Sequence, residues 1–392
     1  MNNTGFFATD ILLPKADYEK WSVVACDQFT SEPHYWAKTK EITEGYNSTY
    51  NLVLPEAYLS SDNSSLVASI NANMSVYLEE GIFNEYKDAM IFVERTLPKG
   101  KVRYGIVGAV DLEEYDFSKG SKSLIRATEG TVLERIPPRV EIRKDAPLEL
   151  PHVMLLIDDI ERTVIEPLKN AKLTVLYDFE LMQGGGHLKG SLIPKDMQEK
   201  ILCALEALKA KGGESPLLFA VGDGNHSLAT AKTCYNNAPN ELNKYALTEI
   251  VNIHDEALEF EPIYRVIFNV DTDDFIKELT ETFTDGPKTI EWYTKDSRGE
   301  VHTSGLTVGS LQPFIDSYLA KHPEAECDYI HGVESTLSLA NADNRVGLIF
   351  DGMDKSELFP FVCEKGSLPR KTFSMGEAES KRYYTEARKI VK

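Results

Sequence analysis

The sequence predicts a mixed α/β protein, and three observations predict it. Short apolar runs of the strand type alternate with longer segments whose apolar residues recur at helical spacing. Glycine and proline punctuate the joins between them. At 392 residues, 42% hydrophobic and 27% charged, the chain can bury a sizeable core. That length predicts two lobes, residues 1–145 and 146–392, with the boundary near Asp145–Leu150, where a proline-punctuated run begins.

The first third reads as mixed α/β. Ser22–Ala25 is a short apolar strand, and Ser64–Ile82 carries Leu66, Ile70, Met74 and Tyr77 at helical spacing. Met90–Leu97 and Arg103–Leu112 are strands joined by the turn Pro98-Lys99-Gly100. The middle repeats strand and helix: strand Val153–Ile157, helix Ile160–Lys172, strand Leu173–Phe179 and the loop Gly184-Gly185-Gly186. Lys195–Lys211 is amphipathic, with Ile201, Leu202, Leu205 and Leu208 inward, and it stops at Gly212-Gly213. Leu217–Val221 is a continuous apolar strand, as in a sheet covered on both faces. The last third predicts strands at Arg265–Val270, Thr289–Tyr293 and Gly347–Asp351, with helices at Asp273–Phe283 and Leu306–Lys321. A charged helix over Gly376–Lys392 closes the chain.

A formal net charge of −20 argues against nucleic acid and anionic membrane as partners, because both need basic surface. No stretch approaches the roughly 20 apolar residues that cross a bilayer. Met1–Pro14 lacks the basic start, apolar run and cleavage site of a secretory signal. The five cysteines are scattered, without zinc-type spacing, which fits a reducing, cytoplasmic compartment. A homo-oligomer is compatible with all of this.

The segment richest in chemistry runs from strand to loop to helix: Val221-Gly222-Asp223-Gly224-Asn225-His226-Ser227. Glycines let the backbone take positive φ and approach a ligand closely. A helix start offers unpaired N–H groups and the positive end of a dipole, together an anion site. The plainer reading is a tight turn with Asp223 or Asn225 as N-cap. Two further segments stand out. Ile125–Asp145 interleaves Arg126, Arg135, Arg139 and Arg143 with Glu129, Glu134 and Glu141. The forked guanidinium suits phosphate or carboxylate, whereas alternating ion pairs on a solvated strand face would be purely structural. Leu368–Ser374 holds Lys371 and Thr372 ahead of the predicted last helix, where Ser374 and Glu377 have capping-box spacing.

The runs GDGNHSLATAK, ATEGTVLERIPPRVEIRKDAPLELPH and LPRKTFSMGEAESKRYY together resemble the conserved family of domain of unknown function 1015, over essentially the whole chain. The family's usual loop, Asp-Gly-His-His-Arg, is similar to the nucleotide-phosphate loop of the partition-protein/sulfiredoxin superfamily, which includes a free-serine kinase. The resemblance implies phosphoryl chemistry on a small, amino-acid-like (serine- or phosphoserine-type) substrate. It also implies a nucleotide or other phosphate donor with Mg²⁺ as cofactors. Asp223, Gly224 and His226 match the family loop, while Asn225 and Ser227 replace its first His and its Arg. The lost Arg would be a bidentate phosphate partner, and Lys371 is the candidate to replace its charge. The resemblance also favours Arg126, Glu129, Arg135 and Arg139 as ligand-binding residues. Asp27, after an early strand, matches a family aspartate.

These features predict an enzyme handling phosphate on a small anionic metabolite. Gly222, Gly224, Asn225 and Ser227 would cradle the phosphate. His226, Asp223 or Asp27 would act as base or orient a hydroxyl. Phosphotransferase is favoured over phosphoester hydrolase, and the alternative is a non-catalytic sensor of a phosphorylated metabolite or nucleotide. No metal-ligand set is defined: His187, His226 and His254 lack metal spacing. Cys26 and Cys234 sit in apolar runs without a base.

Overall fold

The computed structural model describes residues 4–60, 62–130 and 136–391. The protein is mixed α/β, and it divides into two compact units. Unit 1 extends to Leu258 and resumes at Glu377; unit 2 is Glu259–Gly376. The expected boundary near Asp145–Leu150 falls inside unit 1. There Leu148–Glu149 pairs with Arg388–Lys389, and Glu149 is buried between Arg143 and Arg388. The proline-punctuated run is thus core rather than linker.

Unit 1 is built on a ten-stranded sheet. Its strands include β1 (Phe6–Phe7), β3 (Ile91–Thr96), β4 (Val102–Asp111), β5 (Tyr115–Asp116) and β6 (Ile125–Ala127). They continue with β7 (Met154–Ile157), β8 (Thr174–Leu181), β9 (Gly186–Leu192), β10 (Phe219–Asp223) and β11 (Tyr245–Asn252). The order is β8-β9-β3-β4-β11-β7-β10-β6-β5, with β1 beside β4. Pairing is mixed: β7 runs parallel to β11, β10 parallel to β6, and β7 antiparallel to β10. Outside it, β2 (Val23–Val24) pairs with the late strand β12 (Tyr383–Tyr384).

Strand alternation divides the core. Phe92 and Ile106 join one cluster with Ile201, Leu205 and Leu228, from helices α4 (Lys195–Lys211) and α5 (Asn225–Asn237). Ile91, Val93 and Val107 face the other way, toward Val23 and Trp36, the latter in helix α1 (Pro33–Thr43). A third cluster gathers Trp21, Leu54, Met74 and Leu148, beside helices α2 (Ser64–Glu79) and α3 (Ile136–Arg143).

Several expectations are corrected. Ile160–Lys172 is turns and a 3₁₀ segment, Glu166–Asn170, with Pro167 in its first turn. Arg162 takes φ 57°, and the Asp159 carboxylate accepts from the N–H groups of Thr163 and Val164, which competes with helix. The triple glycine closes the β8-β9 hairpin, with Gly184 and Gly186 at positive φ. The charged tail forms no α-helix. It is an extended strap with one 3₁₀ turn, Ala378–Ser380, and no capping box forms, because Ser374 Oγ donates to the Gly376 carbonyl instead.

Unit 2 has a six-stranded sheet in the order Arg298–Thr303, Lys288–Tyr293, Arg345–Phe350, Phe260–Phe268, Glu326–His331, with Phe373–Met375 along the start of Phe260–Phe268. Its core joins Ile267, Ile290 and Leu348 to Phe275, Leu279 and Ile315 of the predicted helices, found at Thr272–Thr282 and Thr307–Lys321. Among the described residues no helix is long and apolar enough to cross a membrane.

Candidate functional site

The buried strand β10 ends at Asp223 and α5 begins at Asn225, with Gly224 between them at φ 81° as N-cap. Only glycine fits there. The φ is left-handed, and a Cβ would stand 2.9 Å from the Val153 Cα. Among the described residues no side chain caps the helix; Asp223 Oδ1 instead accepts from the Gly224 N–H at 2.8 Å. Neither Asp223 nor Asn225 is therefore the N-cap, and the first-turn N–H groups keep the outward direction of a helix start. Asn225 Nδ2 lies 3.5 Å from Thr128 Oγ1 and from the Val221 carbonyl. Its buried Oδ1 has no partner among the described residues.

Two strand pairings bring distant residues to this junction. Met154 of β7 lies opposite Asp223, which puts His152 just past the end of β10. The β2-β12 pair continues into a bond from the Ala25 N–H to the Arg382 carbonyl, so Asp27 and Lys381 run side by side. Lys381 Nζ stands 3.4 Å from Asp223 Oδ2. His152 Nε2 stands 3.7 Å from Asp27 Oδ2. The Tyr384 hydroxyl accepts from the Cys26 N–H at 3.1 Å and lies 3.0 Å from His152 Nδ1. His152 thus stands between the Tyr384 hydroxyl and the Asp27 carboxylate. Burial raises the Asp27 pKa, but His152, the Gln28 amide, Lys381 and Arg139 together outweigh it and hold the carboxyl below its usual value. Asp27 is thus an ionised acceptor at neutral pH.

Beside the junction lies a cavity of about 410 Å³, to which Ser227, Thr230, His152, Tyr384 and Arg139 contribute. Arg139 forms an ion pair with Glu56. Of the other predicted residues, Gly222 is half-buried near the end of β10, and Glu129, two residues past β6, is half-buried. His226, in the first turn of α5, is half-buried, and its carbonyl accepts from Thr230 Oγ1. Arg126 faces elsewhere. Its guanidinium donates to the carbonyls of Ser123 and Ser215, at the opposite end of β10 from the loop. Arg135 lies outside the described residues. Lys371 and Thr372 belong to unit 2, whereas the cluster above is built from unit 1. Lys371 is exposed with φ 56°, and Thr372 is buried, its hydroxyl donating to the Pro369 carbonyl at 2.7 Å.

His187 lies against Asp178 and Glu180, and His254 against Asp158, so these two histidines contact separate carboxylates. Burial, helped by Asp27, pushes the Cys26 thiol up to about 12, which leaves it a poor nucleophile. Sequence reasoning missed Lys381, His152 and Tyr384. All three lie inside the quoted runs, as the last residue of LELPH and the K and second Y of ESKRYY. Spacing alone could not join residues so far apart in the chain.

Fold and site define a two-unit α/β protein whose first unit gathers two carboxylates, a lysine and a histidine at an uncapped helix start. The chain belongs to the family described as "Protein of unknown function (DUF1015)", which matches residues 9–366. No curated protein matches it in sequence. Among solved structures it is similar to a free serine kinase in complex with AMP, at 11% identity and TM-score 0.42, over 75% of this chain and 94% of that one. It is also similar to SbnI with C-terminal truncation from Staphylococcus aureus, at 8% identity and TM-score 0.40, over 71% and 85%. A conserved hypothetical protein from Pyrococcus furiosus is similar at 12% identity and TM-score 0.36, over 73% and 92%.

Proposed function

We propose that unit 1 is a phosphoryl-transfer enzyme acting on a small hydroxyl-bearing acid of the serine type, with a nucleotide or related phosphate donor. The observation that carries this reading is Lys381 set beside Asp223 and close to Asp27 at the uncapped start of α5. A buried lysine and oriented N–H groups stabilise phosphate charge. Asp27, ionised and aligned by His152 and Gln28, accepts the proton of the attacking hydroxyl. The hydroxyl oxygen bonds to phosphorus, the bond to the leaving oxygen breaks, and that oxygen keeps the electron pair. Such transfer rests on positioning and charge stabilisation, so it needs no special nucleophile. Asp27 and Asp223 offer the hard oxygen donors Mg²⁺ takes, and the metal would screen charge on the phosphates.

A thermal-shift series with ATP, ADP, AMP, pyrophosphate and phosphoserine, with and without Mg²⁺, followed by coupled turnover assays, tests the proposal. Asp27→Asn should lower turnover by about 10²–10⁴ while ligands still bind. Lys381→Ala should weaken binding, with a smaller effect at high salt. His226→Ala, measured alongside, tells whether the imidazole of α5 is instead the base. Binding without any turnover would make the protein a sensor, and no shift with any phosphate ligand would sink both readings.

A further inference from the structure

We propose that the site's ligand is amphipathic: an anionic head at the start of α5 carried on an apolar body that fills the adjoining cavity. This rests on the phosphate reading above for the head, and on independent observations for the body. The cavity, about 410 Å³, is lined by both polar and apolar groups. Ser227, His152 and the ion pairs Glu56–Arg139 and Glu149–Arg143 are polar lining. Leu52, Leu54, Met74, Ile142, Leu148 and Leu150, which cluster together, make its apolar part.

These apolar residues come from the third core cluster of unit 1, so the cavity is a gap in a hydrophobic core opening beside polar groups. Binding sites for small molecules have this composition and size, mostly apolar walls with a few placed polar groups. Inorganic phosphate alone would leave Leu54 and Met74 facing water; a ligand with an apolar body covers them.

Charge in the cavity wall is balanced, Arg139 by Glu56 and Arg143 by Glu149. The cationic partner for the head is Lys381 beside the helix start, set against Asp223, together with the first-turn N–H groups of α5. Every one of these groups belongs to unit 1.

The test is calorimetric binding of a homologous series, inorganic phosphate and then methyl, butyl, hexyl and octyl phosphate, to the full chain. Each buried CH₂ should tighten binding about fourfold until the cavity is full. Leu54→Trp, which fills the apolar part, should flatten that dependence; Met74→Trp is the second variant should the first fail to fold by circular dichroism. Lys381→Ala should weaken all members by a common factor. A series with no dependence on chain length, yet still weakened by Lys381→Ala, overturns the apolar body and leaves the phosphate reading standing. A chain-length dependence that ignores Lys381, and that octanol reproduces, keeps the apolar cavity but overturns the anionic head and the phosphate reading with it.

Discussion

A single backbone conformation at Gly224 decides whether α5 can begin where it does. The residue holds φ 81° and its α-carbon hydrogens face the Val153 backbone. Gly224→Ala therefore combines a left-handed alanine, about 1–2 kcal/mol, with a contact against main chain that cannot swing away. Denaturant unfolding should show a loss of at least about 1–3 kcal/mol, and a variant within about 0.5 kcal/mol of the parent would mean that the loop relaxes freely. The same scale shows why local pattern singled out Lys371 and not Lys381. Lys371 stands next to a threonine in a motif-like run, but its carbonyl accepts from Arg265 and its side chain is exposed. Lys381 stands ten positions further on and reaches Asp223 with a largely buried side chain. Only the β2-β12 pairing, invisible to local pattern, distinguishes them.

Most elements were legible because their signals are local. The α4 amphipathic stripe and the apolar run of β10 needed only neighbours in sequence, and both formed, the strand two residues later than read, at Phe219–Asp223. Elements failed where long-range partners decide. The tail from Gly376 has helix-forming charged residues, yet it lies extended because its charges have buried partners elsewhere. Arg382 pairs with Glu249 and Glu386 at 2.8 Å each, and Glu386 also accepts from the Tyr177 hydroxyl. Arg388 pairs with Glu149 at 2.6 Å and donates to the carbonyls of Leu242 and Tyr245. A helix would keep Arg382 and Glu386, four residues apart, on one face but turn Arg388 away from them. Arg388→Ala leaves Glu149 with Arg143 but strips the Leu242 and Tyr245 carbonyls of their guanidinium donor, so it should cost about 1–3 kcal/mol, read by chemical denaturation. A cost below about 1 kcal/mol would show the strap to be loosely held.

At the scale of the whole molecule two electrostatic effects oppose each other as pH falls. The net charge of −20 repels itself at neutral pH, so mild acidification relieves the folded state, most at low salt. Against this stand the carboxylates of unit 1 whose pKa is depressed on folding. Burial raises Glu149, but Arg388 and Arg143 outweigh it and bring its pKa below the usual value; Asp27 is lowered likewise. A carboxyl with a depressed folded pKa adds stability above its unfolded pKa, near 4, and that stability is lost as pH falls through the folded value. The melting temperature at low salt should therefore rise or stay level from pH 7 to about pH 5, then drop steeply below about pH 4. Added salt should flatten the upper limb and spare the lower one, because buried pairs are screened least. Glu149→Gln isolates the second effect: it should lower the melting temperature at pH 7 yet make the acid limb shallower, since the variant has no proton to gain there. An acid limb as steep in the variant as in the parent would assign acid unfolding to other carboxylates, with Asp27 the next to substitute.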